Sequence, residues 1–322
     1  MLSTGDVNKM NANNQKILVT GAAGLIGSRT VMELVDSGFN VFAMDNFSIG
    51  TWRESSKNVQ WVKLDICDEN LIDRLDEMQP QQIVHCAAHP GGLSLKEPAL
   101  NVKVNAHGSM RLFEWCARND AKVLYLSSSV IYGDQPVAPI KESAEVHPGT
   151  VYGVCKVACE SFLKVLQEGY GLRWIVLRPF ATYGAGHQPN KFQGIANIML
   201  TQLMEGNRVV VKGSLQRQRD LVYVDDVAAA IRLALQSPDA QNDIFNIGLG
   251  SGVSILELIK ILASLLNYSF ADLQIIEEEG TVGDPAYNVA DISKANKSFH
   301  YQPGFTLEAG LSRLVQHRLQ TA

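Results

Sequence analysis

Apolar runs of strand length alternate with amphipathic segments along most of the chain. Helical period marks four of these segments, at residues 25–37, 69–78, 102–119 and 152–169. The apolar runs between and around them read KILVT, NVFAMD, VQWVKLD, QIVHCAA, AKVLYLSSS and RWIVLRPF. Strands that are apolar throughout, rather than alternating, are typical of a parallel sheet covered by helices on both faces. The pattern therefore predicts an α/β fold built on a doubly wound parallel sheet.

The rhythm changes after Pro179. Residues 181–215 carry glycines, prolines and polar turns around one helix near 195–205, whereas LVYVDDVAAAIRLAL and DIFNIGLG predict a helix and a strand that return to the sheet. Two further helices are expected after residue 251. We therefore predict a flexible tail at residues 1–14. A large sheet domain is expected to comprise residues 15–180 and 216–248. A smaller, sequence-discontinuous C-terminal region is expected to comprise residues 181–215 and 249–322.

Composition and charge narrow the functional classes. The 322 residues carry a net charge of -5, which offers no basic field for nucleic acid, and we expect no nucleic-acid partner. No apolar run approaches the ~20 residues that cross a bilayer, and the N-terminus lacks the apolar core of a secretory signal. We therefore expect a cytoplasmic protein with no membrane partner. Neither cysteines nor histidines show metal-type spacing, so no metal site is predicted.

A glycine-rich turn, TGAAGLIG, follows the first apolar run and opens a helix. Gly21 permits a tight turn, Gly24 lets backbone N–H groups approach a pyrophosphate, and Gly27 permits close packing of helix on strand. At the end of the second run, Asp45 can accept hydrogen bonds from a ribose diol and would repel a 2'-phosphate. The following residue is Asn46 rather than an arginine. This combination indicates a Rossmann-type site for NAD rather than NADP.

Tyr152 and Lys156 are four residues apart in a predicted helix, so they lie on one face of it. A free tyrosine has a pKa of ~10. A neighbouring ammonium and a positive nicotinamide ring would lower the pKa of Tyr152 and make it a usable general base. By itself, this spacing also fits an ordinary surface pair.

Three serines, Ser127, Ser128 and Ser129, end an apolar strand at the edge of the sheet where ligands bind. A hydroxyl at that edge can hydrogen-bond the reacting oxygen of a substrate. At least one of the three is expected to cap the following loop instead.

These features and several later motifs follow one another in a fixed order over nearly the whole chain after residue 15. They resemble the extended short-chain dehydrogenase/reductase family, and within it the NAD-dependent epimerases and dehydratases such as UDP-galactose 4-epimerase. The motifs that carry the resemblance are TGAAGLIG, Asp45, Asp65-Ile66, HCAA, SSSVIYG, YGVCK, LRPFATYG, RDLVYVDDV and NIGLGSGVS. The resemblance implies that the sheet domain binds NAD, that the smaller region binds a nucleotide-diphosphate sugar, and that the chain forms a homodimer.

The resemblance also implies roles for matching residues. Tyr152 would be the base, Lys156 would hold the nicotinamide ribose, and Ser128, four residues before Tyr132, would assist the base, although Ser127 or Ser129 stays open. Ser128 and Ser129 would also contact the substrate. The expected NAD contacts are Gly21, Gly24, Leu25, Ile26, Gly27, Asp45, Asn46, Asp65, Ile66, Ala87, Ala88, Tyr152 and Lys156.

Several activities share this catalytic pair. Dehydratases of the family carry an adjacent acid pair, within STDEVYG, where this chain has Ser129 and Val130, and valine cannot move protons. A nucleotide-sugar decarboxylase, a simple NAD-dependent dehydrogenase and a non-catalytic NAD-binding regulator remain as alternatives. We expect a nucleotide-sugar 4-epimerase, an isomerase that oxidises the sugar to a 4-keto form and then returns the hydride.

The substrate contacts depart from the usual pattern of the family. FNVYGP appears as Phe180 to Ala185, without the asparagine, and R-x-G-D appears as Thr281 to Asp284, without the arginine that would pair with phosphate. Arg219 remains as the expected phosphate clamp, with a structural ion pair to Asp220 or Asp225 as its alternative role. Which nucleotide and which sugar are bound stays open.

The family's dimers join the helix after HCAA to the Tyr152–Lys156 helix. Here Val157, Phe162 and Val165 offer apolar surface beyond one buried stripe, which is compatible with such a dimer. The same residues also fit a helix that packs between the sheet and its neighbours.

Overall fold

Seven parallel strands form the central sheet of the protein. The computed structural model describes residues 15–52, 56–136, 138–189, 193–280 and 283–321, and the predicted flexible tail at 1–14 lies outside them. The strands are β1 (Lys16–Thr20), β2 (Asn40–Asp45), β3 (Val59–Lys63), β4 (Gln82–His85), β5 (Lys122–Leu126), β6 (Trp174–Pro179) and β7 (Asp243–Ile247). Their order across the sheet is β7-β6-β5-β4-β1-β2-β3, with every pairing parallel. The predicted doubly wound α/β fold is confirmed.

The α-helices lie on both faces of this sheet and in the region beyond it. The described residues contain α1 (Leu25–Asp36), α2 (Leu71–Met78), α3 (Pro98–Val102), α4 (Ser109–Arg118), α5 (Val151–Tyr170), α6 (Ile195–Glu205), α7 (Val224–Gln236), α8 (Ile255–Leu265), α9 (Ser293–Phe299) and α10 (Leu307–Thr321). Three helices therefore follow residue 251, and the prediction of two was wrong. The short α9 buries only Ala295 and Phe299, so it shows no apolar period in the sequence.

Apolar side chains cover both faces of the sheet. On one face, α1 and α7 pack through residues such as Val31 and Ile231, which are fully buried. On the other face, α4 and α5 pack through Leu112 and Leu163, also fully buried. Because both faces are covered, β6 is buried along its whole length. Burial on both faces explains why the strands read as continuous apolar runs.

A third apolar cluster lies beyond the sheet, where α6, α8 and α10 contribute Leu200, Leu258 and Leu314. A pair of parallel strands, Arg208–Lys212 and Gln274–Glu278, adjoins it. The sequence pattern did not predict this pair, because four of the five residues of the second strand are exposed. The domain boundaries drawn from the sequence stay a prediction.

Short strands position the arginine expected to bind phosphate. Gln218–Arg219 pairs antiparallel with Val253–Ser254 and parallel with Tyr287–Asn288. After Asp220, the strand Leu221–Tyr223 pairs with Ala181–Tyr183, which begins two residues after the end of β6. Arg219 is thereby held close to the carboxyl end of the central sheet.

Candidate active site

The glycine-rich turn joins β1 to α1 at the carboxyl edge of the sheet. Gly21 has a φ of 66°, a conformation that favours glycine, and a Cβ there would lie 2.6 Å from the Ala87 nitrogen. A Cβ at Gly27 would lie 2.1 Å from the Gly21 carbonyl oxygen. No described side chain caps α1 at Gly24, so the first N–H groups of the helix remain for an anion. The same turn of α1 carries two further predicted contacts, Leu25 and Ile26, both half-buried.

Asp45 lies beside this turn. Its Oδ2 accepts the Ala23 N–H at 2.9 Å, and its Oδ1 accepts the Phe47 N–H at 2.7 Å. Because a carboxylate oxygen accepts more than one hydrogen bond, Asp45 remains able to bind a ribose diol. Gly50, which the sequence analysis did not single out, also packs here, since a Cβ at Gly50 would lie 2.2 Å from the Ala23 carbonyl oxygen. The loop after β2 thus packs directly against the glycine-rich turn.

The ends of β2 and β3 bring together Asn46, Asp65 and Ile66. Asn46 Nδ2 donates to Asp65 Oδ2 at 2.6 Å, and the Cys67 N–H donates to Asp65 Oδ1 at 2.7 Å. Ile66 is 4% exposed and packs in the apolar cluster beneath α4 and α5. Asn46 and Asp65 therefore offer polar atoms at this edge, whereas the Ile66 side chain serves mainly as core.

The predicted contacts Ala87 and Ala88 follow β4 and are half-buried. The Ala87 N–H donates to Thr20 Oγ1 at 3.2 Å, and that oxygen lies 2.7 Å from His85 Nδ1. The polar ends of β1 and β4 thus fix the backbone at Ala87, next to Gly21. The loop after β4 is positioned by side chains that the sequence analysis had not identified.

His85 is the centre of this buried hydrogen-bond chain. Its Nε2 lies 2.9 Å from Ser109 Oγ, whose hydroxyl donates to the Asn105 carbonyl at 2.8 Å. Ser109 must then accept from Nε2. The Thr20 hydroxyl can donate to Nδ1 while its oxygen accepts the Ala87 N–H, a pattern that fits a neutral imidazole. Burial and the nearby Lys156 lower the pKa of His85 to about 3. A polar residue that ends an apolar strand was the sequence signal for it.

Tyr152 and Lys156 meet at the carboxyl end of β5. Lys156 is 3% exposed, its Nζ donates to the Leu126 carbonyl at 2.6 Å, and this Nζ lies 5.4 Å from the centre of the Tyr152 ring. The half-buried ring of Tyr152 rests on the loop after β4, because a Cβ at Gly91 would lie 3.2 Å from its Cδ1. The two residues share one side of α5 as predicted, and they are not an ordinary surface pair.

The three serines have different environments. Ser127 Oγ donates to Glu160 Oε1 at 2.6 Å in a buried contact. Ser128 Oγ accepts the Val130 N–H at 3.3 Å and begins a short 3₁₀ turn, Ser129–Tyr132. Ser129 is 8% exposed. Ser128 is half-buried and keeps its hydroxyl proton for a ligand, which favours it over Ser127 as the partner of the base.

A buried ion pair that the sequence analysis missed ties these elements together. Arg178 Nη2 and Nε donate to Glu160 Oε2 and Oε1 at 2.6 and 3.0 Å, and both side chains are almost fully buried. Arg178 Nη1 donates to the Tyr132 hydroxyl at 2.7 Å, and that hydroxyl donates to Asn246 Oδ1 at 2.7 Å. The available signals were a charged residue inside the apolar β6 and an acid one helical turn after Lys156.

Arg219 forms an ion pair, but not with either predicted partner. Its Nη2 donates to Asp284 Oδ1 at 2.5 Å, and Arg217 binds the other oxygen of the same carboxylate. Asp220 instead accepts three backbone N–H groups. Asp225 pairs with two other arginines, Arg29 and Arg313. Burial and the neighbouring Arg217 lower the pKa of Arg219 to about 10.

Asp284 also brings the arginine pair close to the start of α5. A Cβ at Gly149 would lie 2.7 Å from the Gly283 Cα, so Gly283 lies against the turn that leads into α5. The side chain of Thr150 caps that helix by accepting the Gly153 N–H at 3.1 Å. The residue that pairs with both arginines therefore follows a contact with the start of the helix that carries Tyr152.

Two kinds of feature are missing from the described part of the chain. It contains no group of three or more histidines, cysteines or acids that could hold a metal ion. Within the same residues, no helix has both the length and the apolar character needed to cross a lipid bilayer.

Known proteins resemble this chain over nearly its full length. Residues 17–248 match the model of the NAD dependent epimerase/dehydratase family. A UDP-glucose 4-epimerase of Mycolicibacterium smegmatis is 32% identical over 94% of this chain and 97% of its own length. The crystal structure of a Thermotoga maritima UDP-glucose 4-epimerase with UDP-glucose matches with 32% identity and a TM-score of 0.89, over 95% and 99% of the two chains. That of a Bacillus cereus UDP-glucuronic acid 4-epimerase, with UDP-glucuronic acid and NAD, matches with 27% identity and a TM-score of 0.87, over 96% and 100%.

Proposed function

Because the chain belongs to the NAD-dependent epimerase/dehydratase family, we propose that it is a nucleotide-sugar 4-epimerase that oxidises its substrate to a 4-keto sugar and then returns the hydride to the opposite face. One observation carries this proposal. Lys156, held by the end of β5, lies 5.4 Å from the ring of Tyr152, at the sheet edge where the glycine-rich turn also lies. This arrangement supports a role for the pair in proton transfer beside a dinucleotide site.

NAD is the cofactor, and the described residues fit it. The uncapped start of α1 suits its pyrophosphate, and Asp45 suits the diol of its adenine ribose. The backbone packs so closely around Gly21 and Gly27 that neither position has room for a side chain, so the turn stays open to the pyrophosphate. When bound, NAD would supply the hydride acceptor for oxidation at C4 of the sugar and, once reduced, the hydride donor for the return step.

The protein's own residues would move the proton. Tyr152 would take the proton of the C4 hydroxyl as the hydride leaves, and would return it after the sugar has turned. The Lys156 ammonium uses one of its three N–H groups on the Leu126 carbonyl. Its other two can bind ribose hydroxyls and stabilise the Tyr152 phenolate. Ser128 would donate a hydrogen bond from its hydroxyl to the reacting oxygen.

The residue after Ser129 supports epimerisation over dehydration. Val130 packs against the apolar cluster around Ile131 and Phe180. No acid stands at either position where the family's dehydratases carry their pair, so elimination of water would lack its proton donor and base. The keto sugar would then remain bound until the hydride returns.

We also propose that the substrate carries UDP, as the ligands of both solved relatives do. The sugar could be neutral or carry a carboxylate, because those two proteins bind UDP-glucose and UDP-glucuronic acid respectively. Residence in the cytoplasm stays a prediction of the sequence.

A homodimer is proposed through α3, α4 and α5. Exposed apolar side chains lie on α3 and α5 and include Leu100, Val102, Val154 and Val165, whereas α4 lies between these helices in the chain. Val165 is exposed as the sequence suggested, whereas Val157 and Phe162 pack against the protein's own core. An apolar surface of this kind favours a second copy of the chain. Sedimentation velocity at micromolar concentration tests this, and a single monomer-sized species would overturn it.

The catalytic proposal is tested with purified protein and a panel of UDP-, GDP-, CDP- and dTDP-hexoses, with product followed by NMR. We expect inversion at C4 without net change in NAD. Stoichiometric release of NADH would instead indicate a dehydrogenase, loss of CO₂ from UDP-glucuronate a decarboxylase, and NAD binding without turnover of any substrate a regulator.

The base is tested with Tyr152→Phe. We expect this variant to bind NAD normally and to lose turnover by at least about 10²-fold. Tyr170→Phe is the matched control, since Tyr170 lies at the end of the same helix and is 67% exposed. Wild-type turnover in Tyr152→Phe would exclude this tyrosine as the base.

A further inference from the structure

Two arginines share one carboxylate beside the catalytic helix. Arg217 ends a turn and Arg219 lies in the short strand that follows it. They bind the two oxygens of Asp284, one arginine to each. Each arginine side chain is 9% exposed, whereas that of Asp284 is 34% exposed. The cations are thus largely buried, and the anion that they share faces solvent in part.

Arg217 supplies the second cation of this cluster. The two guanidinium groups share the carboxylate of Asp284. Asp134 also acts on Arg219, because burial and Arg217 lower the pKa of Arg219 while Asp134 raises it. Two cations and two acids sum to 2 − 2 = 0. With Arg219 alone, the sum would be −1, and the cluster would repel a diphosphate.

Both guanidinium groups keep N–H groups for a further ligand. Arg217 donates its Nε to the Ser214 carbonyl at 3.0 Å and one Nη to Asp284. Arg219 donates Nη1 to the Gln218 carbonyl at 2.7 Å and Nη2 to Asp284. Each guanidinium has five N–H donors, so each has three that do not donate to the described partners. Forked donors of this kind match phosphate oxygens well.

The position of the cluster suits a nucleotide sugar. Asp284 follows Gly283, which lies against Gly149 at the entry to α5, and Tyr152 lies three residues beyond that contact. A diphosphate at the arginines would therefore point its sugar toward the base. The arginine that the family's R-x-G-D pattern would supply is Thr281 in this chain.

We propose that Arg217 is a second diphosphate-binding residue, which together with Arg219 replaces the cation missing at position 281. This inference rests on the proposed function, because it names the part of the site that holds the nucleotide. Asp284 orients both guanidinium groups from one side, and the diphosphate binds their remaining donors.

Binding measurements on the NAD-loaded protein test this proposal separately from catalysis. The nucleoside diphosphate that binds best among UDP, GDP, CDP and dTDP is compared with its own uncharged nucleoside by calorimetry. We expect Arg217→Gln to weaken the diphosphate by about 10-fold or more, since hydrogen bonds between charged groups are worth about 1.5–3 kcal/mol. The nucleoside should bind with unchanged affinity, and added salt should weaken the diphosphate less in the variant than in the wild type.

Two further variants make the result decisive. Arg217→Lys keeps the charge and should retain most of the affinity for the diphosphate. Arg232→Gln is the matched control, because it removes an arginine of α7 that pairs with Glu33 of α1 rather than with Asp284. It should leave the affinities for the diphosphate and the nucleoside unchanged. The proposal is overturned if Arg217→Gln binds the diphosphate as the wild type does, if it loses the nucleoside equally, or if Arg217→Lys is as weak. Failure of epimerisation with these binding results intact would overturn the proposed function and leave the diphosphate site standing.

Discussion

Replacing Glu160 with leucine tests whether one buried ion pair holds together α5 and the loop after β5, which carry the residues proposed to be catalytic. Glu160 lies four residues after Lys156 on α5, and its carboxylate binds Arg178 of β6 and Ser127 of the loop after β5. The substitution leaves the Arg178 guanidinium buried without its counter-ion. A second variant, Glu160→Leu with Arg178→Met, removes both charges and keeps a similar volume.

The two variants should differ sharply in stability. Removing one partner of a buried pair costs about 3–5 kcal/mol, whereas replacing both with apolar residues is neutral or stabilising by about 1–4 kcal/mol. The side chains of Arg178 and Glu160 are only 5% and 6% exposed, so the values for buried pairs apply. The double variant also leaves Ser127 without its partner, at about 1–3 kcal/mol for an unpaired group, whereas the Tyr132 hydroxyl still donates to Asn246. We expect the single variant to lose about 3–5 kcal/mol and the double variant to regain most of that loss.

Activity separates positioning from stability. The double variant removes the hydrogen bond from Ser127 to Glu160 that ties the loop of Ser128 to α5. A misplacement of a reacting group by about 1 Å costs about 10²-fold in rate. We expect kcat to fall by that order while the affinity for NAD stays the same, because the glycine-rich turn lies on other strands. Urea unfolding and steady-state kinetics measure the two effects.

The matched control removes a half-exposed ion pair, Glu33 with Arg232, whose side chains are 32% and 26% exposed. Its loss should cost less than about 1 kcal/mol and leave kcat unchanged. The reasoning is refuted if Glu160→Leu is as stable as the wild type, or if the double variant folds and keeps its kcat.

Two further predictions concern the dinucleotide site and the dependence of stability on pH. Gly27→Ala should weaken NAD by about 10-fold or more and lower the Tm, because its Cβ would lie 2.1 Å from backbone at Gly21. The control is Gly169→Ala on α5, where a Cβ would meet no atom within 4 Å; it should stabilise the fold by about 0.5–1 kcal/mol. Calorimetry measures both variants, and the same effect on NAD affinity and Tm in the two would refute the prediction. Since burial and Lys156 lower the pKa of His85 from 6.5 to about 3, the unfolded chain binds more protons between these values, and stability should fall as the pH falls through that window. His85→Asn should make the plot of Tm against pH flatter there, and identical slopes for the two proteins would contradict this assignment.

The sequence predicted the central sheet well because both of its faces are covered. Every position of β6 is buried, so its apolar run directly reflects the packing of helices on both sides. The strand Gln274–Glu278 was missed for the opposite reason. Its residues are mostly exposed, and its pairing with Arg208–Lys212 satisfies backbone groups without leaving an apolar pattern.

The site was predictable where spacing along one element determines position. Tyr152 and Lys156 share one helix, and a four-residue step places them together wherever that helix packs. The partners of charged groups were not predictable. Arg219 pairs with Asp284, 65 residues further along, and not with the acids next to it in sequence. Such pairings depend on how the short strands around Arg219 are assembled, which no local pattern records.

Buried charge shows where ligands should bind in this protein. Glu160 and Arg178 neutralise each other, and their role is structural support. Lys156 is buried beside a carbonyl and two aromatic rings, without a carboxylate partner among the described residues. A buried cation without a counter-ion is costly, so a phenolate and polar ligand groups are needed there. Arg217 and Arg219 share the carboxylate of Asp284, and their remaining N–H groups are the donors that we propose for a diphosphate. In this proposal a single nucleotide sugar would span the two positions, with the reacting sugar at the lysine and the phosphates at the arginines.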